Sequence, residues 1–193
     1  MNKFFANTAV AVLLIGSAFT LKAQDTNTDA HEVSINIPEV AILDIESTTS
    51  TSFILAPEKP TEAGLALDFT DAKNSDLWLN YSSIVGSKTQ AKRTIDVKVE
   101  DGSAIPDGLL LKVSATEDEG NGDGVVGKPV GEITLSNTAQ DFITGIGSCY
   151  TGSPANNGHQ LTYVLELNSE EGSYGKIDFD QSTSLKVVYT ITE

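Results

Sequence analysis

The chain has 193 residues, 39% hydrophobic and 20% charged, with 27 acidic side chains against 12 basic ones and a net charge of −15. A surface this acidic repels phosphate backbones and anionic headgroups, which call for clustered Lys and Arg, so nucleic acid and membrane surfaces are not expected partners. The single cysteine, Cys149, admits no internal disulfide. The fold must therefore rest on burial alone, with Cys149 as a small buried hydrophobe or a free thiol.

Residues 1–23 read as an export signal: Lys3 supplies a positive start, Ala9 to Ile15 (AVAVLLI) is apolar, and Leu21-Lys22-Ala23 ends in a small residue at a cleavage point. Cleavage after Ala18 is the alternative. The apolar run is too short to cross a bilayer, which takes about 20 residues, and no second such run follows. The mature chain is expected to be exported without membrane insertion, in the periplasm, at the cell surface or outside the cell. Removing Lys3 and Lys22 leaves ten basic residues against 27 acidic, a net of −17. Residues 24–30 (QDTNTDA) are polar and read as a flexible leader, and 31–193 read as one domain, a length that can bury a sizeable core.

Within that domain, period two dominates. Val33, Ile35 and Ile37 alternate with polar neighbours, as do Leu65, Leu67 and Phe69, then Ile95, Val97 and Val99. Leu109, Leu111, Val113 and Ala115 follow, then Leu161, Tyr163, Leu165 and Leu167, and finally Leu185, Val187, Tyr189 and Ile191. Alternation of this kind turns one face to a core and the other to water. Turn clusters such as APEKP (56–60), EDGSAIPDG (100–108) and EDEGNGDG (117–124) separate the runs, and no helical stripe appears. The expected fold is all-β, a single two-sheet antiparallel β-sandwich of immunoglobulin-like or pilin-like type, with a small β-barrel as the alternative. The last strand runs to the final residue, so no appended sorting domain is expected.

Three stretches invite a chemical reading. GIGSCYTGSPANNGHQ (145–160) holds Ser148, Cys149 and His159. A serine hydrolase elbow needs glycine two positions either side of the serine, where Ile146 and Tyr150 stand here. A cysteine nucleophile needs an imidazole beside it and a feature that lowers its pKa, commonly a helix N-terminus, and neither is expected. The stretch therefore reads as a long turn between strands, and no catalytic residue and no enzyme activity are expected.

EDEGNGDG crowds Glu117, Asp118, Glu119, Asn121 and Asp123 into seven residues, and oxygen ligands are what calcium takes. An EF-hand alignment from Glu119 places Gly124 correctly but puts Val130 where a bidentate Glu is required. A looser calcium site on Asp118, Glu119, Asn121 and Asp123 remains as an expectation, beside the plainer reading of an acidic hairpin tip. In SDLWLNYSSI (75–84), alternation puts Leu77, Leu79 and Tyr81 on one face and Trp78 and Asn80 on the other. Trp78 is the candidate platform for a sugar, and otherwise packs under a loop. Asn80-Tyr81-Ser82 also matches a glycosylation acceptor tripeptide.

Ile37-Pro38-Glu39-Val40-Ala41, Leu77-Trp78-Leu79-Asn80-Tyr81, Ile146-Gly147-Ser148, Asn157-Gly158-His159-Gln160-Leu161-Thr162-Tyr163 and the ending Val188-Tyr189-Thr190-Ile191-Thr192 together resemble uncharacterised secreted β-sandwich proteins of the Bacteroidetes, flavobacterial ones especially. The resemblance covers nearly the whole mature chain. More distantly, the layout is similar to spore coat protein U and fimbrial subunits, from which this chain departs by lacking their usual cysteine pair. These resemblances imply a noncatalytic structural or adhesive role at or beyond the cell envelope. In that role Val33 to Ile45 would pair with a sheet edge of a second copy or of another envelope protein by β-strand addition. The alternative is a calcium- or glycan-binding module.

Overall fold

The computed structural model describes residues 27–120 and 122–192. The export signal, the first residues of the leader and Asn121 of the acidic stretch lie outside the described residues. By its contacts the chain divides between Asn36 and Ile37.

Among the described residues of the second unit, eleven strands follow one another: β1 (Val40–Ser47), β2 (Lys73–Ile84), β3 (Arg93–Val99), β4 (Leu109–Ala115), β5 (Asp123–Gly124), β6 (Lys128–Pro129), β7 (Ile133–Thr134), β8 (Gln140–Ile146), β9 (Cys149–Tyr150), β10 (His159–Leu167) and β11 (Val187–Ile191). Two short 3-10 turns, Ser173–Lys176 and Phe179–Gln181, precede β11. The strands form two antiparallel sheets that do not close on each other, so the fold is a β-sandwich and the barrel alternative is set aside.

The first sheet is organised around β2, the longest strand. β1 covers one edge of β2 from Leu77 to Ile84, so β10 and β9, which pair with β2 at Lys73–Leu79 and Ser82–Ser83, share its other edge in succession. β4 and then β7 continue beyond β10, and β5 continues beyond β9. The second sheet runs β11-β3-β8-β6.

Both inner faces are built from the alternating positions. Leu77, Leu79, Tyr81, Leu111, Val113, Leu161 and Tyr163 of the first sheet meet Ile95, Val97, Val99, Phe142, Ile143 and Ile146 of the second. Burying each of these side chains contributes about 1.5–3 kcal/mol, enough collectively to hold the sheets face to face without a disulfide.

Two alternating stretches are not strands. Residues 27–39 enter no β-ladder, and Val33, Ile35 and Ile37 are 69, 85 and 74% exposed. Around Leu65, Leu67 and Phe69 a single bridge, Glu58 to Asp68, replaces the expected strand. Alternation marks a chain able to form a strand, and only a partner edge completes one.

Candidate functional site

The acidic stretch and the 145–160 stretch, far apart in sequence, meet at one end of the first sheet. Asp123 pairs with Tyr150 and Gly124 with Cys149. The Val125 amide donates to the Ser148 carbonyl (3.1 Å), the Gly147 amide to Val125 (2.8 Å), and the Glu119 amide to Gly158 (3.0 Å). The glycines at every second position explain the close fit. A Cβ at Gly120, Gly122 or Gly124 would overlap the carbonyl oxygen of Thr151, Tyr150 or Ser148 respectively. The acidic stretch is thus a strap laid against another backbone rather than a free hairpin tip. The 145–160 stretch is likewise more than a turn: Cys149–Tyr150 joins the sheet and His159 opens β10.

The sequence-derived cation ligands take different positions on this strap. Asp118 is half-buried, its Oδ1 accepting from the Gly120 amide at 3.3 Å. Glu119 and Asp123 are exposed, and Asp123 Oδ1 accepts from the Gly124 amide at 2.7 Å. Among the described residues no three His, Cys, Asp or Glu side chains stand together as a metal-holding group.

Under the strap lies a polar network that sequence reasoning missed. His159 is 0% exposed, and its Nδ1 stands 2.8 Å from the Thr116 carbonyl while its Nε2 stands 2.8 Å from the Tyr81 hydroxyl. The Tyr81 hydroxyl also donates to the Val126 carbonyl, and the two rings stack with centroids 5.7 Å apart. Burial pushes the tyrosine hydroxyl far above its ordinary pKa and lowers that of the imidazole. Cys149 is buried, and burial together with the Asp118 charge pushes its thiol up to about 11. That direction opposes nucleophile activation, which requires the thiolate. Both imidazole nitrogens face partners other than Cys149.

Trp78 lies on the outer face of the first sheet and is only 8% exposed, so its ring offers little area for a sugar to stack on. Neighbouring Asn80 is buried and donates from Nδ2 to the Pro154 carbonyl at 3.1 Å, which occupies the nitrogen a glycan would need.

The two long sides of the sandwich differ. One is guarded by strands of two residues each, β5, β6 and β7, with Pro129 in β6. On the other, β1 with eight residues and β11 with five pair, among the described residues, only with β2 and β3, so each has an outer edge without a described strand partner, and the two approach one another. β1 contains no Lys, Arg or Pro, and its blunting features are the carboxylates of Asp44 and Glu46, Asp44 Oδ1 accepting from the Ile45 amide at 2.8 Å. Leu43 and Ile45 of β1, with Val187, Tyr189 and Ile191 of β11, line this side as half-buried extensions of the core. Just ahead of β1, Glu39 accepts from the fully buried Arg93 at 2.5 Å, and Arg93 Nη1 donates to the Thr192 carbonyl at 2.5 Å. The guanidinium therefore ties the entry of the first strand to the end of the last.

Fold and site together define a β-sandwich with one guarded and one open side. No protein-family model, curated protein or solved structure matches the chain.

Proposed function

We propose that the protein is a noncatalytic exported structural or adhesive component of the cell envelope or extracellular space, joined to a neighbour, a second copy or another envelope protein, by β-strand addition. The observation that carries this reading is the stretch ahead of β1. Val33, Ile35 and Ile37 share the odd positions of Leu43 and Ile45, which face the core, yet they are exposed and enter no ladder. Three apolar side chains in strand spacing with polar residues between them are suited to cover the inner face of a neighbouring sheet while the backbone fills its edge. The outer edges of β1 and β11, which have no strand partner among the described residues, supply the complementary half. The apolar run Ala9 to Ile15 supports export, and the raised thiol and engaged imidazole support a noncatalytic role.

The test uses the mature chain from Gln24. Sedimentation over a wide concentration range is expected to show assembly in the unmodified protein. Ile35→Asp should remove assembly and leave the melting temperature unchanged, because Ile35 is exposed. A chain that stays monomeric when concentrated, with residues 31–39 cut by protease equally fast with and without an envelope fraction, would sink the proposal.

A further inference from the structure

The network beneath the strap does not close on its protons. Carbonyl oxygens only accept, so the 2.8 Å contact to the Thr116 carbonyl requires the hydrogen on His159 Nδ1. A neutral imidazole then presents a bare Nε2 to the Tyr81 hydroxyl. That hydroxyl has one hydrogen and faces two acceptors, Nε2 and the Val126 carbonyl. With an imidazolium every contact is satisfied: Nδ1–H donates to Thr116, Nε2–H donates to the Tyr81 oxygen, and the hydroxyl hydrogen goes wholly to Val126.

We propose that the Tyr81–His159 pair is a proton-operated fastener of the acidic strap, holding its Val126 end more firmly when His159 carries a second proton. The groups facing the imidazole fit this role. From β2 comes Tyr81, uncharged; from β9 comes Cys149, a neutral thiol beside Tyr81; and from the chain after β4 come Glu117 and Asp118, whose charges favour the cation. Burial opposes them and places the titration of His159 below the ordinary imidazole range. An unfolded chain therefore takes up the proton first as the pH falls. Global stability declines from about pH 6.5, the ordinary imidazole value, down to the lower titration of the folded protein, whereas the strap tightens only as the pH falls through that lower titration, in openings that leave His159 buried. That opposition separates a fastener from a merely structural histidine, which would lose local and global protection together.

The experiment is nuclear magnetic resonance on the mature protein carrying His31→Gln, so that His159 is the single imidazole. Imidazole shifts and amide exchange at Glu119, Val125 and Gly147, whose hydrogen bonds hold the strap, are followed from pH 5 to 8. After correction for intrinsic exchange, protection at these amides is expected to be about fivefold higher below the His159 titration than above it, the worth of one hydrogen bond. Tyr81→Phe keeps the ring and removes the hydroxyl, and it should abolish that pH dependence while His159 still titrates. His159→Gln, which cannot take up a second proton, should likewise leave protection at these amides independent of pH. Protection that stays flat across the titration, an unchanged pH dependence in Tyr81→Phe, or no titration of His159 in the window would each overturn the proposal.

Discussion

Asp96 on β3 and Asp141 on β8 stand directly opposite each other on the second sheet. Desolvation, then the charge of Asp141 and a hydrogen bond to it, raise the Asp96 pKa above the ordinary carboxylate value. A carboxyl whose folded pKa is raised weakens the fold at neutral pH, and the penalty is relieved as the pH falls through the raised value. Like charges placed directly across a ladder cost a few tenths of a kcal/mol, and solvent screening keeps the figure small. Asp141→Asn is therefore expected to stabilise the protein by about 0.5 kcal/mol at pH 7 and to have almost no effect near pH 3. Thermal melts of both proteins at the two pH values check the sign as well as the size. This dependence runs opposite to that of His159, whose lowered pKa makes acid unfavourable to the fold. Neither pairing could be anticipated from the sequence, because Tyr81 and His159 lie 78 positions apart.

Among the elements, the acidic strap shows that one composition admits several readings. Its carboxylates suggest a cation and its glycines suggest a turn, but Gly120, Gly122 and Gly124 are needed because another backbone lies where their side chains would stand. Gly122→Ala would drive a methyl group into the Tyr150 carbonyl, and overpacking of this kind typically costs about 2 kcal/mol. Gly131→Ala has open space around it and carries only the strain of a φ of 108°, so about 1 kcal/mol is expected there. Urea denaturation of the two variants measures the difference, and loss of amide protection at Val125 in Gly122→Ala alone would place it at the strap. The alternating glycines were visible in the sequence. What they lie against was not, since a spacing of two can serve a turn, a ladder or a close approach.

Across the whole molecule, Arg93 joins elements at opposite ends of the chain through Glu39 and the Thr192 carbonyl. The arginine side chain is 0% exposed and that of Glu39 69%. Removing the carboxylate leaves a buried cation with one anionic partner fewer, whereas removing both charges leaves none. Glu39→Ala is expected to cost about 2 kcal/mol, below the figure for a fully buried pair because Glu39 is solvated. Arg93→Met combined with Glu39→Gln should recover most of that loss. Urea denaturation of both variants tests this, and a double variant no more stable than Glu39→Ala would show that the arginine stem, rather than its charge, secures the first strand.

Several strands were legible residue by residue. Leu109 to Ala115 coincides with β4, the alternations in Ile95–Val99 and Leu161–Leu167 lie within β3 and β10, and of the alternation from Leu185 to Ile191 the part from Val187 forms β11, with Leu185 ahead of it. Leu77, Leu79 and Tyr81 face the core as their spacing required. β8 escaped because Phe142 and Ile143 are consecutive and the ladder to β3 shifts register twice, which breaks the period. Strands of two residues, such as β5, β6 and β7, are too short to carry any period.

Sequence alone determined the all-β class and the inward faces of the long strands, because side-chain alternation is a local property of extended chain. Tertiary structure alone decided which alternating stretches found partners, why the acidic strap is rich in glycine, that His159 and Arg93 are buried, and which hydrogen-bond partners they and Tyr81 meet. Pairing, close approach and burial each depend on chain that is distant in sequence, and no local pattern records them.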